Sequence, residues 1–176
     1  MTNSQTAAES KATMWPLVFT YKSPIFGNGF IADVELCGRL LAEIEAEGLW
    51  LYGVNPGGFA IDAPTLAQAG PAVTKALSTL FVDFAEEAST FDAFEAQVRQ
   101  FFNETDDETL GDWAAAVAAV RNGTLPAPQG LPVKSADMPF TVKVSSRPMT
   151  QVTPNDNPIV IAEQQKQHMP ALEFAA

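Results

Sequence analysis

Between Pro16 and Asp62 the chain alternates apolar and polar positions with a period of two, the signature of strands with one face buried. "PLVFTYK" is rich in β-branched and aromatic residues and reads as a strand, and "SPIFGNG" supplies turn chemistry after it. Phe30, Ala32, Val34 and Leu36 then alternate with Ile31, Asp33, Glu35 and Cys37. Across Gly38 the same period continues, with Leu40, Ala42, Ile44 and Ala46 on one face and Glu43 and Glu45 on the other. Glu47-Gly48 predicts a tight turn into the hydrophobic strand Leu49 to Val54, so these two strands form an antiparallel hairpin. "GFAID", after Asn55-Pro56-Gly57-Gly58, predicts one more short strand.

Downstream the period changes to 3.6. Val73, Ala76, Leu77, Leu80, Phe81, Phe84 and Ala88 share one helical stripe, with Lys75, Asp83, Glu86 and Glu87 outside it. Thr65 stands three residues before Gln68, the capping-box spacing, while Gly70-Pro71 predicts an irregular start. A second helix begins near Ser89 or Thr90 and buries Phe91, Phe94, Val98, Phe101 and Phe102. A third opens on "TDDET", where carboxylates face the positive end of the helix dipole; it carries Trp113, Ala116, Val117 and Val120 and stops at Asn122-Gly123. Prolines recur from residue 126 onward, leaving "FTVKVSS" as one clear strand and "NPIVIA" as a short extended piece. The expected fold is α+β: an antiparallel sheet of three to four strands covered by a long helix, followed by two further helices and an extended Pro-rich C-terminal tail. Residues 1–13 read as a disordered leader, 14–123 as a single domain, and 124–176 as a partly ordered tail.

Charge narrows the function classes. The net charge of −11 lies wholly within residues 1–130, which hold six Lys/Arg and 17 Asp/Glu; residues 131–176 hold four of each. Such a surface disfavours nucleic acid and anionic lipid and suits a basic partner, or serves solubility alone. No apolar run approaches the roughly 20 residues that span a bilayer. The N-terminal stretch lacks a basic start followed by an apolar run, so the expected location is cytoplasmic. The single cysteine, Cys37, allows no internal disulfide.

Candidate chemistry is sparse. His168 is the one histidine, far from the predicted core, and with Cys37 it falls short of the four ligands of a structural zinc site. Asp33 with Glu35, and Glu43 with Glu45, place carboxylates about 7 Å apart on a strand face. That spacing resembles glycosidase or magnesium geometry, but solvated strands produce it routinely, and Arg39 lies close enough in the pattern to neutralise one carboxylate. Gly53, Gly57 and Gly58 are followed by a strand rather than a helix, and no Lys or Arg lies between Arg39 and Lys75, which argues against a phosphate cradle. The loop instead reads as a bulge or turn whose glycines take positive φ and whose bend is set by Pro56. Trp50, Tyr52 and Phe59 read as packing beneath the helix.

The stretch "GRLLAEIEAEGLWLYGVNPGGFAIDAPTLAQA", Gly38 to Ala69, has the order strand, hairpin turn, strand, Pro-Gly loop, short strand, Thr-initiated helix. This order resembles the HicB-like antitoxin superfamily over residues 38–88, with Thr65 at the helix cap and Gln68-Ala69 where Glu-Ala is usual. The resemblance implies a partial double-stranded-RNA-binding-like αβ domain that masks a small basic ribonuclease, commonly as an oligomer. The chain departs from the family in its Asn-Pro-Gly-Gly loop, in the two added helices of residues 90–121, and in lacking a recognisable DNA-binding module. The expected function is therefore non-enzymatic protein binding, with no cofactor, metal or catalytic residue. Asp33, Glu35, Glu43 and Glu45 would steer a basic partner, and the tail strand around Val142 and Val144 would add to a sheet edge in this molecule or a neighbour. Asn55, Pro56, Gly57, Gly58 and Thr65 would be structural. Two alternatives stay open: a metal-dependent hydrolase using the strand carboxylates, and an accessory subunit that docks through its tail.

Overall fold

A computed structural model describes residues 13–45, 48–148 and 172–176. Its elements are β1 (Met14–Phe26), β2 (Ile31–Glu45), β3 (Gly48–Asn55), β4 (Ala60–Ala63), α1 (Leu66–Glu87), α2 (Phe91–Asn103), α3 (Asp107–Arg121), β5 (Val133–Lys134), β6 (Thr141–Arg147) and β7 (Leu172–Ala175). The fold is α+β, a mixed sheet of seven strands with three helices among the described residues. The strand order is β4-β3-β2-β1-β7-β5, with β6 paired to β2. The sheet thus exceeds the expected three to four strands, because β5, β6 and β7 from beyond residue 123 join it. "NPIVIA" and His168 lie outside the described residues.

The period-two segments on either side of Gly38 form one strand, β2. It runs unbroken through Gly38 and pairs along its length with β1, from Met14 opposite Glu43 to Phe26 opposite Ile31. Its other edge is divided: β6 takes Ile31 to Cys37, and β3 takes Arg39 to Glu45. β1 also extends further than expected, through Ser23-Pro24-Ile25-Phe26, and the turn is confined to the residues around Gly27–Phe30. A proline is tolerated there because β7 covers only Leu17 to Phe19 of β1, leaving the Pro24 stretch as an edge among the described residues.

One sheet face buries Leu17, Phe19, Tyr21, Val34, Leu40 and Leu51 beneath α1 and α2. α1 meets it through Ala69, Val73, Leu77, Phe81 and Ala85, each four residues from the next, and α2 through Phe94, Val98, Phe101 and Phe102. Phe81 packs edge-on against Tyr21 and Phe101, with ring centroids 5.5 and 6.1 Å apart. The opposite face carries a second, smaller core in which Trp113, Ala116 and Val117 of α3 cover Val18, Leu41 and Val54.

Two local expectations are corrected. α1 is continuous through Pro71, because near the helix start the absent N–H removes a single bond, to the Ala67 carbonyl. Thr65 does stand at the N-cap, but its hydroxyl donates to Gln68 Oε1 (3.1 Å) instead of accepting a backbone N–H. Thr90 and Asp106, by contrast, cap α2 and α3 through the Ala93 and Thr109 backbone N–H groups.

The Asn-Pro-Gly-Gly loop is explained by the passage of the chain from one sheet face to the other. α2 and α3 lie on opposite faces, and the connection between them crosses this loop: Gly57 N–H donates to the Glu104 carbonyl at 2.7 Å. A Cβ on Gly57 would stand 2.9 Å from that oxygen and 3.0 Å from Asp106 N. The loop glycines do not take positive φ as expected; that conformation occurs at Gly29, Gly48, Gly123 and Gly130 among the described residues. Close approach of a second backbone, not a left-handed turn, is what requires glycine at position 57. The expected bulge is present, as a register shift that sets Arg39 opposite Asn55 and Leu40 opposite Gly53. The Asn55–Pro56 peptide is cis.

Candidate interaction surface

Odd-numbered residues of β2 from Asp33 to Glu45 point to the α3 face, and α3 covers only the middle of that face. The four carboxylates therefore separate into two pairs. Asp33 is held by Arg147 of β6 through two bonds, Nη2 to Oδ1 at 2.6 Å and Nε to Oδ2 at 3.2 Å. Glu35 pairs with Lys22 of β1 at 2.7 Å, and the Lys22 hydrogen bond holds its carboxyl below the ordinary range.

Glu43 and Glu45 have no such partner. Among the described residues the ion pairs are Lys22–Glu35, Arg99–Glu95, Arg121–Asp137, Lys134–Glu173 and Arg147–Asp33. Sheet pairing sets Glu43 beside Trp50, and Trp50 beside Asp62 of β4. Trp50 is 39% exposed and stacks on Tyr52 with ring centroids 6.4 Å apart and planes inclined by 20°. The Tyr52 phenol is pushed up by burial first, then by the Glu43 charge and hydrogen bond and the Glu45 charge. A cleft of about 340 Å³ lined by Glu45, Trp50, Asp62 and Pro64 opens here. It adjoins a larger one of about 490 Å³ bounded by Trp15, Ile44, Leu66 and Gln129. Ile44, expected on the buried face, is 45% exposed because α1 begins only at Leu66, beside it across the larger cleft. Trp50, likewise expected beneath the helix, stands on the opposite face; Phe59 does pack inward, edge-on to Phe101.

No protein-family model, curated protein or solved structure matches the chain.

Of the remaining candidates, Val142 and Val144 lie in β6 opposite Leu36 and Val34, and Val144 is buried in the main core. Cys37 is half-buried, and that burial raises its thiol pKa, the opposite of an activated nucleophile. Among the described residues no three His, Cys, Asp or Glu side chains converge on a common point, and no helix is long and apolar enough to cross a membrane. Arg39 neutralises none of the four β2 carboxylates. Its Nε donates to Asn55 Oδ1 at 2.8 Å, and its guanidinium lies over the Phe140 and Trp113 rings. Sequence reasoning missed Asp62 and the exposure of Trp50. The period of two was the available signal: Trp50 and Tyr52 alternate with the buried Leu49 and Leu51, so they belong on the face of Glu43.

Proposed function

We propose that the chain is a non-enzymatic protein-binding domain with a HicB-like core, acting by masking a small basic protein. A ribonuclease of the toxin type is the most specific partner consistent with that role. Two features support this reading. The β2–β3 hairpin continues into β4 and then into a long helix packed on one face, the order expected of such a core. The carrying observation is the unpaired acidic and aromatic end of the sheet, where Glu43, Glu45 and Asp62 surround Trp50 and Tyr52. Unpaired carboxylates on a chain of charge −11 steer a cationic protein in diffusion. An exposed indole beside them offers a face for an arginine or lysine at contact.

The test is binding of the full chain to a small basic ribonuclease of the toxin type, measured at low and high salt. Affinity falls steeply with salt, and the Glu43→Lys, Glu45→Lys double variant loses about 100-fold while keeping its melting temperature. Salt-independent binding, or a double variant that binds as the parent does, overturns the reading.

A further inference from the structure

The Asn-Pro-Gly-Gly loop has no cation near it in sequence, yet the fold brings one from a neighbouring strand. The β2–β3 register sets Arg39 directly opposite Asn55, the first residue of the loop. The Nε–Oδ1 bond of 2.8 Å fixes one side of the guanidinium, and its Cζ sits 4.0 Å from the Phe140 centroid and 4.9 Å from that of Trp113. These contacts leave both terminal nitrogens, Nη1 and Nη2, without an acceptor among the described residues. The other three arginines of the sequence, Arg99, Arg121 and Arg147, each hold a carboxylate. Among the described residues Arg39 alone holds none, in a chain with 21 of them.

The neighbours of Arg39 are donors as well. Asn55 spends its oxygen on Nε, which leaves an NH2 group as its remaining polar function. Trp113 is 7% exposed, and its indole Nε1–H is buried with no partner among the described residues. Arg39, Asn55 and Trp113 thus present N–H groups with no protein acceptor among the described residues, solvent-reachable at Arg39 and Asn55 and buried at Trp113, around a guanidinium whose orientation is already fixed. A planar fork of this kind takes a carboxylate through two parallel bonds. Arg39 is the one cation of the cluster and can balance one negative charge. A dianionic phosphate would keep an excess charge against a protein of net −11, so a monoanion fits better.

We propose that Arg39, Asn55 and Trp113 form a binding site for a monocarboxylate. The site is independent of the acidic end of the sheet and does not rest on the basic-partner reading.

Titration of the full chain with acetate, at ionic strength held constant with chloride, tests this in two-dimensional amide NMR. The Trp113 indole resonance shifts saturably, and phosphate acts more weakly than acetate. Arg39→Met keeps an apolar stem against the rings and weakens acetate binding at least ~10-fold, since each charge-assisted hydrogen bond lost contributes about 1.5–3 kcal/mol. Asn55→Asp supplies a carboxylate from within the chain and abolishes the response; a dispersed spectrum for either variant shows that it has folded. A shift that never saturates, an unchanged response in Arg39→Met or Asn55→Asp, or tighter binding of phosphate than acetate overturns the proposal.

Discussion

Asp33 and Glu35 near one end of β2 have the same spacing and the same sheet face as Glu43 and Glu45 near the other, yet only the first pair is neutralised. The difference comes from the strands that flank each end. β1 brings Lys22 to Glu35 and β6 brings Arg147 to Asp33, whereas β3 and β4 bring Trp50 and Asp62 to the end that carries Glu43 and Glu45. A pair of carboxylates at i, i+2 therefore carries no meaning by itself; its role is assigned by neighbours more than 100 residues away in one case, Asp33 with Arg147. Ion pairing at one end binds β6 to the sheet. At the other end the same residue type is left to the solvent or to a partner.

The largest separation between the two ends should appear in stability. Asp33→Asn removes the negative charge and turns one of the two acceptor oxygens into an NH2 group against a guanidinium that is about one-third exposed, which lowers stability by about 1 kcal/mol. In a domain of this size that corresponds to a fall of about 2–4 °C in melting temperature. Glu43→Gln removes no ion pair and stays within about 0.5 kcal/mol of the parent in the same denaturant melt. Equal losses at both positions would show that the Arg147 clamp contributes nothing beyond an ordinary surface carboxylate.

The contrast between fold and site was visible in the sequence to different degrees. Element types followed from periodicity, because burial of one face imposes a period of two or 3.6 on the residues themselves: Phe94, Val98, Phe101 and Phe102 mark α2 without reference to anything else. That the strand around Val142 and Val144 adds to a sheet edge was expected, but its place on β2 and the attachment of β7 could not be read, since a strand does not encode its partner when the connection is long and proline-rich. The requirement for glycine at position 57 was equally hidden. It arises from the Glu104–Asp106 backbone lying against the loop, a contact between segments about fifty residues apart. Gly57→Ala would make that contact overlap and is expected to destabilise by about 1–3 kcal/mol in a thermal melt. The Arg39–Asn55 bond was missed for a related reason. Scanning for a cation along the chain near the loop overlooks the strand beside it, which the antiparallel register brings within 2.8 Å.

A subtler difference between the ends lies in their titrations. At the unpaired end the Tyr52 phenol is raised by burial, by the Glu43 charge and hydrogen bond, and by the Glu45 charge. Tyrosine becomes negative on deprotonation, so a raised folded-state value penalises the fold as pH rises past the unfolded value near 10. Replacing Glu43 and Glu45 by Gln together removes both carboxylate charges but leaves burial, so Tyr52 should titrate lower in the double variant by ultraviolet difference absorbance, and alkaline stability should improve. At the paired end the sign reverses. Lys22 holds the Glu35 carboxyl below its unfolded value near 4.5, so its stabilisation is present above that pH and is lost as pH falls through the folded value. Both partners are largely solvated, so salt weakens this contribution, and Glu35→Gln should flatten the acid limb of the stability curve only at low ionic strength. If Tyr52 keeps its alkaline shift without Glu43 and Glu45, burial alone sets it, and the hairpin end does not hold the concentrated negative field that a basic partner would meet.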